Sequence, residues 1–364
     1  MAILFTFFSG VYLMIMSWIY SKKKIKKIYF CALVVSLSSI FSCYFSPDSL
    51  AYQSLFLRFS STPFSNIYSE IGSAELFFVL SSKIFSFLPV FLYLFFYAFL
   101  SFFYKITLFE KASRTPTLSL MFYFAFFFLY FDGTVVRVSL GIAISYWGVY
   151  FLSKKRNLFF YVIVIFSGFF LHYSLFVLLI VPLFKSHSSI RFIWLLMFLF
   201  FILYFFDVGV LYFLPWFIHH VDVNAIGISK LVSALESSKS SYPYSFFYIV
   251  LFFMVFSAYS LFKDELNEFE LISFNMLFLS FLILIVFYQS QEVQNRVSEI
   301  FRYSIVFLAP FFYKLFSCFF ENQSKVRGMI VYCLFLISYF FYYFYFKGII
   351  ADKNLFLLYS LFSV

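Results

Sequence analysis

The chain has 364 residues, of which 64% are hydrophobic, 28% aromatic and only 12% charged, with a formal net charge of +10 and a mean hydropathy of +0.97. No soluble domain could cover so much apolar side chain with so few charges, so the composition predicts an all-α, polytopic helical membrane protein. Its length leaves room for about ten to twelve spans of ~20 residues, and the continuous, non-alternating apolar runs exclude a transmembrane β-barrel.

The excess positive charge sits in short inter-helix loops, the topology signal of membrane proteins, and gives no reason to expect nucleic acid. Residues 3–20 form the first predicted span and lack the basic start and small-residue cleavage site of a secretory signal. SKKKIKK, which follows, is the strongest basic loop and is expected in the cytoplasm. Residues 28–45 return to the other side, and 46–72 form an outer loop carrying Asp48, Tyr52, Arg58 and Glu70. Residues 74–88 are apolar but short, and Pro89 divides them from 90–109, which end in the basic EKASR. A full crossing by 74–88 would put EKASR outside, so the positive-inside bias favours a re-entrant or interfacial segment there.

Residues 117–131 then exit, 132–134 turn outside, and 135–152 come in to the basic turn Lys154-Lys155-Arg156. The apolar run 158–184 reads as two shorter helical pieces meeting near 168–172 on the outer side, with a single tilted helix as the alternative. Residues 190–206 exit, 207–245 form the longest outer loop, 246–262 enter, and KDELNEFE is cytoplasmic. Residues 271–288 exit, 289–298 lie outside, 300–317 enter, 328–346 cross last, and 347–364 are external or partly re-entrant. In the long loop Ile228, Leu231, Val232 and Leu235 have the spacing of a short amphipathic helix, a lid over a cleft or a passive interfacial helix. The whole chain is read as one integral membrane domain. Cys31, Cys43, Cys318 and Cys333 show no metal-ligand or disulfide spacing, so neither a metal nor a disulfide is expected, and no cofactor is expected either.

Two ionisable residues at membrane depth stand out. Arg137 opens one apolar run and His172 closes the next, with the basic turn midway. At about 1.5 Å rise per residue each lies roughly 22–24 Å from that turn, so antiparallel helices would return them to one level, facing each other. Intramembrane charges are costly and are functional candidates by default. Arg137 suits a phosphate or diphosphate, and its competing role is snorkelling to lipid head groups. His172 can take a proton from a hydroxyl near neutral pH, and its competing role is a structural hydrogen bond. Arg296 and Arg302 flank the outer end of a later span, six residues apart and so pointing in different directions, with Glu299 between them. They break the positive-inside bias and call for an anionic partner, a bound phosphate or Glu299 and Glu292. Asp48, Tyr52 and Glu75 could bind sugar hydroxyls, or could belong to an ordinary solvated loop.

These residues carry a resemblance. Arg137, Ile142-Ala143, Lys154-Lys155, Phe159-Phe160 and the ending Phe169-Phe170-Leu171-His172-Tyr173-Ser174 resemble the EpsG and O-antigen polymerase (Wzy) group. The early Asp48…Tyr52 and Gly72-Ser73-Ala74-Glu75 elements and the late arginine-bearing span are similar too, while Val138 stands where that group often has Gln and Leu76 where it often has Pro. The resemblance implies a glycosyltransferase of the bacterial inner membrane that works without a metal or nucleotide sugar. It would transfer a glycan from undecaprenyl diphosphate to a sugar hydroxyl of another lipid-linked repeat unit on the outer face. On that reading Arg137, Arg296 and Arg302 hold the diphosphate, His172 is the base or orients the acceptor hydroxyl, with a carboxylate as the alternative base, and Asp48, Tyr52 and Glu75 touch sugar. The implied partners are undecaprenyl-diphosphate-linked oligosaccharides and membrane lipids, with a chain-length regulator and a flippase of the same pathway. Three other readings stay open: a lipid-linked oligosaccharide flippase, a multi-span O-acyltransferase, and a non-catalytic scaffold.

Overall fold

The computed structural model describes residues 25–44, 46, 48–66, 75–206, 246–288, 291–318 and 332–337, with several positions between 12 and 22. Most of the first span, Glu70, the whole 207–245 loop with its amphipathic stretch, the Glu292 side chain, most of the last crossing and the C-terminal segment lie outside the described residues. Among the described residues the protein is 87% helical and has no strand. Six of the described helices are long and apolar enough to cross a membrane, and three more apolar helices are shorter. The fold is all-α and polytopic, as the composition requires.

The chain forms two compact units, Met1–Trp147 with Phe166–His172 and Phe316–Val364, and Gly148–Ile165 with Tyr173–Leu315. In the first, helices α1 (Lys27–Tyr44), α2 (Ser49–Ser61), α3 (Leu76–Ile84), α4 (Val90–Ala112), α5 (Pro116–Phe126) and α6 (Phe128–Phe131) precede the start of α7 (Val136–Ser153). Helices α1 and α4 are antiparallel: Lys27 and Tyr20 both reach the Glu110 carboxylate, and Phe30 packs 6.0 Å from Phe102. Helix α7 runs parallel to α4, because Ser139 meets Lys105 while Trp147, two turns on, lies 5.1 Å beneath the Lys111 ammonium and donates to the Tyr104 carbonyl. The basic segments before α1 and after α4 therefore share one end of the unit.

That is the arrangement the short reading of 74–88 requires. Helix α3 has nine residues, roughly 14 Å at 1.5 Å per residue, less than half of a ~30 Å hydrocarbon core. It is held by hydroxyl contacts from Tyr93 to Ser81 (2.9 Å) and Ser82 (3.2 Å) and by Lys83 donating to the Ser60 carbonyl (2.9 Å).

The turn at 132–134 departs from expectation. It is not solvated: Asp132 is fully buried, as is Lys105, and Lys105 Nζ donates to Asp132 Oδ1 at 2.8 Å. Ser101 (2.8 Å), Ser139 and Tyr123 donate to the same carboxylate. Ser42 of α1 donates to the Gly133 carbonyl at 2.8 Å. A side chain at Gly133 would put its Cβ 2.3 Å from the Leu129 carbonyl oxygen, so only glycine fits there. The reason is Lys105: a lone ammonium inside an apolar helix needs a counter-charge, and the aspartate of the next turn supplies it.

The second unit begins with the end of α7 and with the first part of α8 (Asn157–Phe170), then a 3₁₀ segment Tyr173–Phe184, α9 (His187–Phe205), α10 (Phe246–Phe262), α11 (Glu268–Val286), α12 (Gln291–Arg302), a 3₁₀ segment Tyr303–Leu308 and most of α13 (Ala309–Cys318). Helix α7 stops because Lys155 takes a left-handed conformation (φ 60°), with Lys155 N–H to the Leu152 carbonyl and Arg156 N–H to the Phe151 carbonyl, both 2.9 Å. Gly148 lets α8 approach to van der Waals contact. Helix α11 is the core of this unit, buried over 89% of its length. It starts on a capping box between Asn267 and Glu270, and its Asn275 amide donates to the Phe184 and Ser186 carbonyls. Residues 289–298, expected as a loop, are helical from Gln291, and Gln294 anchors that helix on the Leu284 carbonyl at 2.7 Å.

Replacing Asp132 by Asn should leave the Lys105 ammonium buried without its counter-charge and cost about 3–5 kcal/mol. The purified protein's unfolding temperature in detergent should fall accordingly, and Lys105→Met added to Asp132→Asn should recover more than half of the loss. A double variant no more stable than the single one would show that the pair is not held by charge.

Candidate functional site

The α7–α8 hairpin sets the geometry. The run from 158 to 184 is two pieces: α8 ends at Phe170, the Leu171 and His172 amides both return to the Ser167 carbonyl (3.0 Å), and a 3₁₀ segment starts at Tyr173. His172 thus sits at the break. Arg137, near the start of α7, stands at the same level, and one carboxylate proves it. Glu75 Oε2 accepts from Arg137 Nη1 at 2.5 Å, while Glu75 Oε1 lies 3.3 Å from His172 Nε2. All three belong to the first unit.

Glu75 occupies the N-cap position of α3, yet its side chain makes no cap hydrogen bond. It reaches outward to the other two side chains instead, at the end of α3 where the helix dipole favours negative charge. Its side chain is 9% exposed, that of His172 13% and that of Arg137 25%, so the triad is mostly enclosed but open at the guanidinium. The guanidinium lies over two rings, 5.7 Å from that of Tyr52 and 5.4 Å from that of Phe78.

Behind Phe78 stand Tyr93 and Tyr97, 5.6 and 6.1 Å away between ring centroids. Two polar atoms here, Tyr97 Oη and Arg137 Nε, are buried with no hydrogen-bond partner among the described residues. Buried donors without acceptors are costly, and such atoms in a partly open site are what a polar ligand would satisfy. Burial pushes the Tyr52 hydroxyl up to about 12 against the opposing pull of the Arg137 charge, so Tyr52 stays protonated at neutral pH.

The structure therefore gathers Tyr52, Glu75, Arg137 and His172. Asp48 begins the same helix as Tyr52 one turn earlier, and the Tyr52 amide donates to its carbonyl at 2.9 Å. Arg296 and Arg302 belong to the other unit. They do point apart: Arg296 is exposed and Arg302 fully buried. Arg302 donates to the Tyr248 hydroxyl (2.9 Å) and Ser298 (3.0 Å), with its guanidinium 4.6 Å from the Tyr248 ring centre. It lies eight residues past Gln294, roughly 12 Å along the helix, and so well inside its bundle.

Sequence reasoning missed the Lys105–Asp132 network, five residues before Arg137, and the Phe78, Tyr93 and Tyr97 wall. The signal for the network was present, since Lys105 is the single charge between 90 and 109. The tyrosines carried none in a chain with 30 of them.

A family model described as the EpsG family matches residues 27–361. The chain belongs to the EpsG family. No curated protein and no solved structure matches it. EpsG membership points to a polysaccharide-polymerase-like function and a glycosyltransferase-like enzyme, and with six apolar helices the chain is a multi-pass membrane protein. The match runs through α1 to α13 and so takes in Glu75, Arg137 and His172 together.

Because Glu75 bridges two partners, truncations at Glu75 and Arg137 should not add. Each alanine variant should lower the apparent unfolding temperature, and a double-mutant cycle should return a coupling of about 1–3 kcal/mol. Strict additivity would mean that the ion pair contributes nothing to the folded protein.

Proposed function

We propose that this EpsG-family chain is a polysaccharide polymerase of the O-antigen polymerase type. It would transfer a glycan from undecaprenyl diphosphate to a sugar hydroxyl of a second lipid-linked repeat unit on the outer face of the bacterial inner membrane. The observation that carries the reading is the Glu75 carboxylate held between Arg137 and His172 at the end of the first unit away from its basic segments. By the positive-inside bias those segments are cytoplasmic, which leaves the triad facing out.

The chemistry divides among the three. A carboxylate only accepts, so it selects the imidazole tautomer with its proton on Nε2 and the lone pair on Nδ1. The acceptor hydroxyl oxygen attacks the anomeric carbon and its proton passes to His172 Nδ1. The carbon–oxygen bond to the diphosphate breaks, and its electron pair leaves with the lipid diphosphate. Arg137, which cannot lose its charge, stabilises that departing anion, so the reading needs no metal. Glu75 acts as a positioning residue for both. Tyr52, a neutral donor, and Asp48 are proposed to contact sugar. Arg296 and Arg302 are retained as proposed diphosphate ligands on the sequence alone, and a chain-length regulator and a flippase as proposed partners.

In cells, Arg137→Ala and His172→Ala proteins should insert at normal levels yet leave single-repeat surface glycans. In vitro each change should slow transfer by roughly 10²–10⁴-fold. A normal long-chain ladder from both variants would overturn the assignment, and loss of single-repeat glycans as well would point to a flippase.

A further inference from the structure

The second unit holds a groove that the polymerase reading does not use. It has a volume of about 400 Å³ and lies where α9 begins and α10 ends, with Arg191, Trp194, Phe256, Tyr259, Ser260 and Lys263 in its wall. We propose that it is a binding site for an anionic membrane phospholipid, taking the head-group phosphate between Arg191 and Lys263 and the acyl chains along α9 and α10.

Four observations support this. First, neither charge is held in an ion pair: Arg191 and Lys263 have no ion-pair partner among the described residues, whereas Lys27, Lys105, Arg137 and Lys314 each have a carboxylate. The nearby Glu265 is taken by Lys314 at 2.7 Å, and Asp264 is exposed and does not line the groove. Second, a buried donor waits there. Trp194 Nε1 is buried with no hydrogen-bond partner among the described residues, and indole N–H can only donate, so its partner must bring an acceptor oxygen. The hydroxyls of Tyr259 and Ser260 lie in the same wall, and His187 Nδ1 meets the Tyr259 hydroxyl at 3.2 Å.

Third, the polar rim continues into lipid-facing surface. Of the six candidate spans, the one from His187 to Tyr204 is the least enclosed by protein, with 17% of it buried. Its Leu195, Phe198 and Leu199 are 63%, 64% and 49% exposed, and Phe253 on α10 is 60% exposed. A molecule with an anionic head and apolar tails matches that sequence of surfaces, and a free anion would match only the rim. Fourth, the first turn of α9 lies at the same place with no side-chain cap from Ser186, so its partial positive charge adds to that of Arg191. Basic pockets between membrane helices on the cytoplasmic side recognise anionic head groups in this way.

The test is native mass spectrometry on the full chain released from nanodiscs containing phosphatidylglycerol, phosphatidylcholine or both. The wild type should retain one phosphatidylglycerol in preference to phosphatidylcholine. Arg191→Ala/Lys263→Ala should lower that retention by roughly tenfold or more, two surface cations being lost. Trp194→Phe, which keeps the ring and removes the donor, should lower it less. Lys154→Ala/Lys155→Ala, which removes two cations from a basic turn elsewhere, should leave it unchanged. Lys263→Arg should restore binding to a Lys263→Ala protein, which guards against misfolding. Equal retention of both lipids, or an equal loss from the Lys154/Lys155 variant, would overturn the proposal. So would displacement of the lipid by millimolar inorganic phosphate or by a polyprenyl diphosphate, the first marking a free-anion site and the second a donor-lipid site. None of these readouts depends on polymerisation, so the proposal and the polymerase reading fail separately.

Discussion

The Lys105–Asp132 pair is the constraint on which the first unit depends. Both groups are fully buried, and either alone would be several kcal/mol out of place. Together they tie α4 to the turn between α6 and α7, and the other partners extend the tie: Ser101 from α4, Tyr123 from α5, Ser139 from α7, and Ser42 from α1 at the Gly133 carbonyl. Four long elements thus converge on one turn, and five residues later the chain reaches Arg137. A polar network in a low-dielectric interior gains from being complete and loses heavily from being partial, so this turn has few alternative placements. The guanidinium inherits that definition through little more than one helical turn.

Glu75 gives the site its second constraint. It draws a cation and an imidazole to one carboxylate, which fixes their separation. It also competes with any anion for Arg137. On the proposed function, a ligand phosphate would share the guanidinium with Glu75 or use its other edge, where Nε has no hydrogen-bond partner among the described residues. Arginine suits that double duty because its five donors spread over a plane, whereas lysine would offer a single point charge. The aromatic floor of Tyr52 and Phe78 holds the plane while leaving its edges open.

Much of this was legible because membrane helices obey few rules, strictly. Apolar run lengths located the elements, and charge bias alone made the segment around α3 a dip instead of a crossing. The matched depth of Arg137 and His172 followed from counting residues to the basic turn. The break after Phe170 was legible because 27 residues is too long for one upright span and glycine stands beside it. What was not legible was partnership. Glu75 looked like a loop carboxylate, since the residue that makes it a bridge lies 62 positions away. Asp132 looked like a solvated turn because its counter-ion sits 27 residues earlier, inside what composition marks as a plain apolar run. Arg302 looked like a rim residue because a helix beginning at Gln291 instead of Ile300 carries it deeper than the hydropathy edge suggests.

The distribution of charge gives these pieces one logic. Among the described residues of the first unit, the buried Lys105 meets Asp132 and the partly buried Arg137 meets Glu75, because the interior dielectric makes a lone charge prohibitive. On exposed surface that pressure lifts, and among the described residues cations such as Arg191 and Lys263 have no ion-pair partner. A neutralised interior can host a substrate's negative charge only by rearranging existing pairs, which favours a ligand bound and released at each turnover. A rim with unanswered cations gains from any anion that arrives, which favours a resident one. On the two proposals made above, Arg137 would belong to the first kind of site and Arg191 to the second.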